Sequence, residues 1–398
     1  MPFELTDLSA SELRSRGAEW TALEIGQQPS VWRETERLVT AGRARLDAFL
    51  APLLANPSLR IVLSGAGTSA YIGDCLAPAL SAHLQRRVDA VATTDLVSGP
   101  HLRLQRNVPT LLVSFARSGN SPESVAAVEV AERALERVHH LVITCNGEGG
   151  LASRARKQDN AFSIVLPDAT CDRSFAMTSS FSSMLLTAAL AFGLVRTNAV
   201  EPLARSAESL LARSWPLARK LVSGKFQRVV YLGSNELRGL ASEAALKLLE
   251  LTDGRVVAVA DSTLGFRHGP KTIVDTRTLV VVMLSNDPYT RAYDVDLLRE
   301  LRRDARAGAI LAQGARAEGL EGAEHVLFDG MGGASDIEVA LLHVIVAQSY
   351  ALAQSLALGL APDRPNASGV VNRVVQGVIV HPWPGPATKE PSGDVPGR

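Results

Sequence analysis

Cysteine is scarce in this chain, which has only Cys75, Cys145 and Cys171. An odd number, at spacings of 70 and 26 residues, fits neither a disulfide framework nor a zinc cluster and points to a reducing cytoplasm. Net charge is missing as well, because 41 Lys and Arg balance 41 Asp and Glu. The basic surplus that a nucleic-acid or anionic-membrane surface needs is therefore absent, and only a local patch could serve. Met1-Pro2-Phe3-Glu4 lacks the basic stretch and apolar core of a secretory signal. Long uninterrupted apolar runs are wanting too. Met184 to Val195 is too short to span a bilayer, and Val339 to Leu360 is interrupted by His343, Gln348 and Gln354, so both are expected to be buried helices. His139-His140 are adjacent, and no His-x-x-x-His or His/Asp/Glu set at ligand spacing exists, so no metal or cofactor is expected.

What is present is ordinary for a globular protein: 398 residues, 46% hydrophobic and 21% charged, enough for two domains. Residues 1–50 form a polar helical pattern, broken at Gln28-Pro29, that reads as an extension. From Arg60 short apolar runs alternate with helical stretches: Ile61 to Ser64, Val88 to Thr93, Thr110 to Phe115, a helix from Pro122 to Val138, Leu141 to Thr144, Ala161 to Leu166. Alternation of this kind predicts an α/β fold, a mainly parallel sheet flanked by helices on both faces. A helical hairpin follows, and the theme restarts at Val229 to Leu232, with further strands over Arg255 to Val259 and Thr278 to Leu284. Gly233 lies 168 residues after Gly65, and Asn286 lies 168 after Ser118, so the second half is expected to be an internal repeat of the first. The expected division is an extension (1–50), a first domain (51–200), a second domain (201–380) and a Pro-rich disordered tail (381–398).

In an open parallel sheet, ligands bind beyond the carboxyl ends of the strands. The first such loop, Gly65-Ala66-Gly67-Thr68-Ser69-Ala70, fits Gly-x-Gly-x-x-Ala and admits a dinucleotide-binding turn. The acidic residue that such a site requires is poorly placed, since Asp89 starts the second strand and Asp95 lies 28 residues past Gly67. The second loop, Arg117-Ser118-Gly119-Asn120-Ser121, leads into Pro122. It reads as a helix cap, and equally as a cradle of small polar groups for one phosphate at a helix N-terminus. No Gly-Lys-Ser/Thr follows, so a phosphorylated metabolite is a better guess than a nucleoside triphosphate. Farther on, helical spacing puts Glu243, Lys247 and Glu250 within about 40° of one line. They make either a solvated Glu-to-Lys stripe or a cleft wall on which a carboxylate could move a carbon-bound proton. His268 stands between Gly265 and Gly269-Pro270, on a constrained and accessible loop.

Taken in order, five features resemble the sugar isomerase (SIS) family over about Glu24 to Val380. They are Glu24-Ile25 with Gln28-Pro29; Gly65-x-Gly67-Thr68-Ser69; Arg117 to Ser121; Glu243-Ala244-Ala245-Leu246-Lys247-Leu248-Leu249-Glu250; and His268-Gly269-Pro270. The likeness is to two-SIS-domain enzymes of the tagatose-6-phosphate ketose/aldose isomerase (galactosamine-6-phosphate deaminase/isomerase) type, related to the isomerase half of glucosamine-6-phosphate synthase. It implies two flavodoxin-like three-layer domains in a homodimer acting on a sugar phosphate. The phosphate would be held by Gly67, Thr68, Ser69, Ser118, Gly119, Asn120 and Ser121, with Arg117 near. The resemblance also implies Glu250 as the C1/C2 proton shuttle, Glu243 and Lys247 as its support, and His268 as the ring-opening group supplied by the other subunit. Three positions depart from the synthase: Ala116 replaces a serine, Ser179 replaces a lysine, and Ala367 to Arg373 lacks its C-terminal lysine. The substrate end is thus expected to be rebuilt, with a contribution from Arg373. No N-terminal Cys or glutaminase domain precedes Arg60, so release of ammonia from an amino sugar phosphate is the expected direction. The rivals are a non-deaminating isomerase and a non-catalytic sugar-phosphate sensor, which would leave Glu250 and His268 without work.

Overall fold

The computed structural model describes residues 5–320, 324–373, 375 and 377–385. Each apolar run that stops at a small polar loop is a strand. The first five are β1 (Arg60–Ser64), β2 (Val88–Ala90), β3 (Thr110–Ala116), β4 (Val138–Thr144) and β5 (Ala161–Val165), paired in parallel in the order β2-β1-β3-β4-β5. The second five are β6 (Arg228–Leu232), β7 (Val257–Asp261), β8 (Thr278–Met283), β9 (Ala309–Gly314) and β10 (Glu324–Leu327), parallel in the order β10-β9-β8-β6-β7. Counted within each half, both orders are 2-1-3-4-5, the flavodoxin-like topology, so the repeat inferred from two landmarks is a repeat of the whole sheet.

The principal helices are α1 (Glu19–Gly26), α2 (Gln28–Ala41), α3 (Thr68–Leu84), α4 (Pro122–Ala134), α5 (Ser179–Ala191), α6 (Val200–Val222), α7 (Glu236–Leu251), α8 (Pro288–Asp304) and α9 (Asp336–Ala357). The break at Gln28-Pro29 is the α1/α2 boundary, with Pro29 in the first turn of α2 where its missing N–H costs nothing. The N-terminal helices are built into the core. Ile25 and Trp32 are fully buried, Trp32 Nε1 donates to Ser182 Oγ at 2.9 Å, and Gln28 Nε2 reaches Gln348 Oε1 of α9 at 2.8 Å. Apolar enough to cross a membrane, α9 instead has 94% of its most hydrophobic window buried inside the protein, as expected of a core helix. All three cysteines are unpaired.

Several boundaries differ from the sequence reading. Strand β2 stops at Ala90, because Thr93–Ser98 is a helix, and β7 is shifted to Val257–Asp261. Helix α4 ends at Ala134, and β4 begins at Val138, because backbone pairing with β3 carries the polar His139-His140 into the sheet. Strands β9 and β10 and helix α8 went unassigned in the sequence reading, although Ala309 to Ala312 is an apolar run and α8 buries Val295, Leu298 and Leu301. Trp383 packs on the outer core of the first sheet, whereas residues 386–398, most of the expected tail, lie outside the described residues.

The two halves meet closely where α7 crosses α3. A Cβ on Gly239 would come within 2.6 Å of the Cys75 backbone nitrogen, so this crossing admits only glycine. The close approach sets where the last turns of α7 fall.

Candidate active site

The crevice at the topological switch point of the first sheet lies between the loops after β1 and β3, which are neighbours running to opposite sides. After β1 the chain turns at Gly65, where a Cβ would lie 2.5 Å from the Ser69 carbonyl, and passes through Gly67 at φ +56°. Both conformations need glycine, and they deliver Thr68 and Ser69, nearly buried, to the first turn of α3. After β3 comes Arg117 to Ser121. Gly119 has φ +67°, Asn120 N–H donates to Ser118 Oγ at 3.3 Å, and Asn120 Oδ1 accepts from Gly150 N–H at 2.8 Å. Ser121 is the N-cap of α4, its Oγ accepting from Ser124 N–H at 3.3 Å. The capping role is thus realised, and the loop still presents Ser118 and Asn120 at a helix start on the crevice rim.

The charged stripe of α7 is not solvated. The side chains of Glu243 and Lys247 are wholly buried, and that of Glu250 is 23% exposed. Lys247 Nζ donates to Thr68 Oγ1 at 2.8 Å, pairs directly with Glu250 Oε2, and lies 3.6 Å from Glu243 Oε1. The crossing of α3 and α7 therefore joins the first loop of one half to the stripe of the other. Burial pushes the Glu243 carboxyl up to about 8, with Lys247 pulling down and Glu250 pushing up. Burial alone would lower Lys247, but Glu243 and Glu250 on either side raise it. Lys247 thus lies between the fully buried Glu243 and Glu250, the one member of the set that reaches solvent.

A testable pH dependence follows. Glu243 has its folded-state pKa raised from 4.5, so its contribution to stability is full below that value and is lost as the pH climbs through about 8. The stability of the natural chain relative to Glu243→Gln, measured by urea unfolding, should fall across that window. A difference independent of pH would remove the assignment.

Arg117 and Arg373 do not point freely into the crevice. The Arg117 guanidinium, nearly buried, donates to the carbonyls of Ser174 (3.4 Å), Phe175 (3.3 Å) and Arg373 (3.0 Å), while Arg373 donates to the carbonyl of Asp172. Both hold the segment Asp172–Met177 against the crevice, and Met177 Sδ lies 4.0 Å from Ser69 Oγ. Two further carboxylates fix that segment. Glu24 accepts from Arg173 N–H, Ser174 N–H (3.2 Å) and Ser174 Oγ. Asp172 accepts from Thr178 N–H (2.7 Å), Ser180 N–H (2.9 Å) and Ser179 Oγ. Burial and the nearby Asp172 push Glu24 up to about 8. Sequence reasoning named Glu24 only by resemblance and missed Asp172; its one signal was an acidic residue just ahead of Thr178-Ser179-Ser180 at the start of an apolar helix.

His268 is exposed on the turn after Thr263–Phe266, and among the described residues no hydrogen bond or ion pair joins its ring to Glu250 or to the Ser118 loop. The dinucleotide alternative loses its ribose acid, because Asp89 is held by Arg60 Nε at 2.5 Å and Asp95 by Arg103 at 3.0 Å. Among the described residues no group of three or more His, Cys, Asp or Glu is placed to hold a metal.

Residues 53–193 match the SIS domain. A Streptomyces coelicolor relative is 52% identical over 365 residues, covering 91% of this chain and 95% of its own. The chain belongs to the SIS family. Within it, the D-galactosamine-6-phosphate deaminase AgaS of Shewanella sp. strain ANA-3 is 46% identical, over 96% of this SIS chain and 98% of its own length. The solved tagatose-6-phosphate ketose/aldose isomerase from Escherichia coli superposes with a TM-score of 0.87 at 42% identity, over 95% of this chain and all of that one. The two-sheet SIS architecture and the relationship expected from five motifs are therefore shown along almost the whole chain.

Proposed function

We propose that this SIS protein is an aldose/ketose isomerase that converts galactosamine 6-phosphate and water to tagatose 6-phosphate and ammonia. The observation that carries the reading is the Thr68–Lys247–Glu250 junction, a partly exposed carboxylate held by a buried ammonium beside the loop after β1. The names of the AgaS relative and of the solved isomerase support the substrate class. The phosphate binds Ser118, Asn120 and Ser121 at the start of α4, with Thr68 and Ser69 opposite. After ring opening, Glu250 takes the proton from C2 and returns it to C1. The product is a C2 imine, which water converts to the ketone with loss of ammonia. Lys247 pairs with the Glu250 carboxylate and holds it at the crevice, and Glu243 supports Lys247 from its other side. Assaying ammonia and ketose together tests the reading: one ammonia per ketose is expected, whereas ketose formation only from an unaminated aldose phosphate would select the non-deaminating isomerase.

Removing one phosphate hydroxyl should cost a charge-assisted hydrogen bond, roughly 1.5–3 kcal/mol, or about ten- to a hundredfold in affinity. Ser118→Ala with unchanged affinity for the sugar phosphate would withdraw this role.

We also propose a cytoplasmic homodimer in which His268 completes the partner's site. Support comes from the face that carries it, where edge strand β7 exposes Val257 and Val259 and the next turn exposes Leu264. A two-fold dimer makes two equivalent composite sites, so inactive Glu250→Gln and His268→Asn chains refolded together should form mixed dimers with one intact site each. About one quarter of the natural activity should return, since about half of randomly assorted dimers are mixed. Mixed dimers verified by tag that stay as inactive as their parents would exclude the shared site.

A further inference from the structure

The second sheet has its own switch point, between β6 and β8, and it opens on a cavity of about 740 Å³, within the range of small-molecule sites. Its position repeats that of the first crevice. The turn after β6 copies the one after β1, with Asn235 at φ +50° and ψ −116° where Gly67 has +56° and −127°. Its chemistry does not repeat. The N-cap of α8 is Asp287, in the place Ser121 holds on α4, and Asp336 and Glu236 face the same cavity. The neighbouring hydroxyls of Ser234 and Thr263 already serve an internal anion, donating to Asp294 Oδ1 at 2.6 and 2.8 Å. A phosphate cradle of the first kind is therefore not what this site offers.

What it offers is unpaired groups of both signs. Glu236 has no hydrogen-bond or ion-pair partner on another of the described residues, its carboxyl taking only its own backbone N–H, and burial, with Asp336 and Asp287 nearby, raises its pKa. Asp287 is held below its ordinary range by the Thr290 N–H, so it stays anionic. Across the cavity Arg196 has no partner among the described residues, and Arg316 donates only Nε, to Gly332 O at 2.9 Å. Asn286, 4% exposed, spends both amide hydrogens on Met331 and Ala334 carbonyls at 2.9 Å and leaves Oδ1 without a partner. A carboxylate and an amide oxygen left unpaired in a partly buried site cost stability unless a ligand donates to them.

We propose that this cavity is a second binding site for a small hydroxylated zwitterion of the amino sugar phosphate class, its ammonium on Glu236 and Asp287 and its phosphate on Arg196 and Arg316. That the ligand is a zwitterion is taken from the cavity's own charges, and that it is an amino sugar phosphate rests on the function proposed above. The test is equilibrium dialysis of galactosamine 6-phosphate against the full-length Glu250→Gln chain, which should bind without turnover. Two molecules per chain are expected. Adding Glu236→Gln, or separately the exposed Arg196→Gln, should weaken one of them about ten- to a hundredfold and leave the other, while adding Ser118→Ala should do the reverse. Tagatose 6-phosphate, which has no ammonium, should fill only the Ser118-dependent site. One molecule per chain, lost with Ser118→Ala and indifferent to both Glu236→Gln and Arg196→Gln, would overturn the second site. One molecule lost only with Glu236→Gln and Arg196→Gln would uphold it and instead overturn the phosphate cradle proposed above. Thermal midpoints near that of the parent chain would show that each variant is folded.

Discussion

Glu250→Gln is expected to lower turnover at least a hundredfold while the sugar phosphate still binds. Glutamine keeps the size of the side chain, and its amide oxygen can still accept from the Lys247 ammonium that pairs with Glu250. Thr68 keeps its own bond to Lys247, so the cradle side of the crevice is undisturbed. What is lost is the group that can take a proton from carbon, and general-base contributions run to about 10²–10⁴ in rate. The decisive measurement is exchange of the C2 hydrogen with solvent deuterium, because it follows proton removal even when the later loss of ammonia is slow. Exchange that continues in Glu250→Gln at the natural rate would take the shuttle away from this residue and leave it a role in binding alone.

Lys247→Met should do more damage, to the fold as well as to the chemistry. Methionine fills most of the volume of the lysine stem but removes the ammonium that pairs with Glu250 and lies beside Glu243 inside the α3/α7 crossing. Breaking a buried pair by removing one partner costs about 3–5 kcal/mol, because the remaining charge has no water to replace what it lost. The remaining carboxyls would escape part of that cost by taking up protons, so the loss of stability should shrink at low pH. Glu250 would also lose the cation that holds its carboxylate at the crevice, so activity near neutral pH should fall with it. Lowering the pH should therefore restore part of the stability and none of the turnover, a split that a purely structural role for Lys247 would not produce. A Lys247→Met chain with natural stability and turnover would show that the ammonium matters to neither.

The alternation of short apolar runs with helical stretches was enough to place both sheets, because a parallel strand buried on both faces has to be apolar along its length, as Ile61 to Leu63 and Val229 to Leu232 are. Strand β10, with Glu324 and His325 at its start, sits at a sheet edge where one side of the ladder is open, and nothing in its composition sets it apart from a loop. The site divided along the same line. Thr68, Ser118 and Ser121 could be named from their positions after strands, and the Glu243–Lys247–Glu250 stripe from helical spacing. That the stripe meets Thr68 depends on how α7 lies across α3, which a local pattern does not encode. Glu24 and Asp172 were harder still. Their purpose is to satisfy the backbone of an irregular segment, and Glu24 does so from 149 residues away. Buried polar groups of this sort are defined by what they bond to, and that is known only once the chain has folded.

Because of the crossing at Gly239, the site proposed above takes residues from both halves of the chain. A fragment ending before α6 would keep Thr68 and the Ser118 loop but would lack the proposed base, since Lys247 and Glu250 arrive on a helix whose strand belongs to the other sheet. The complementary fragment would carry the base with nothing to seat beside it. On the reading proposed above, the two copies of one fold divide the labour as handle and blade, and a single chain keeps the two parts together.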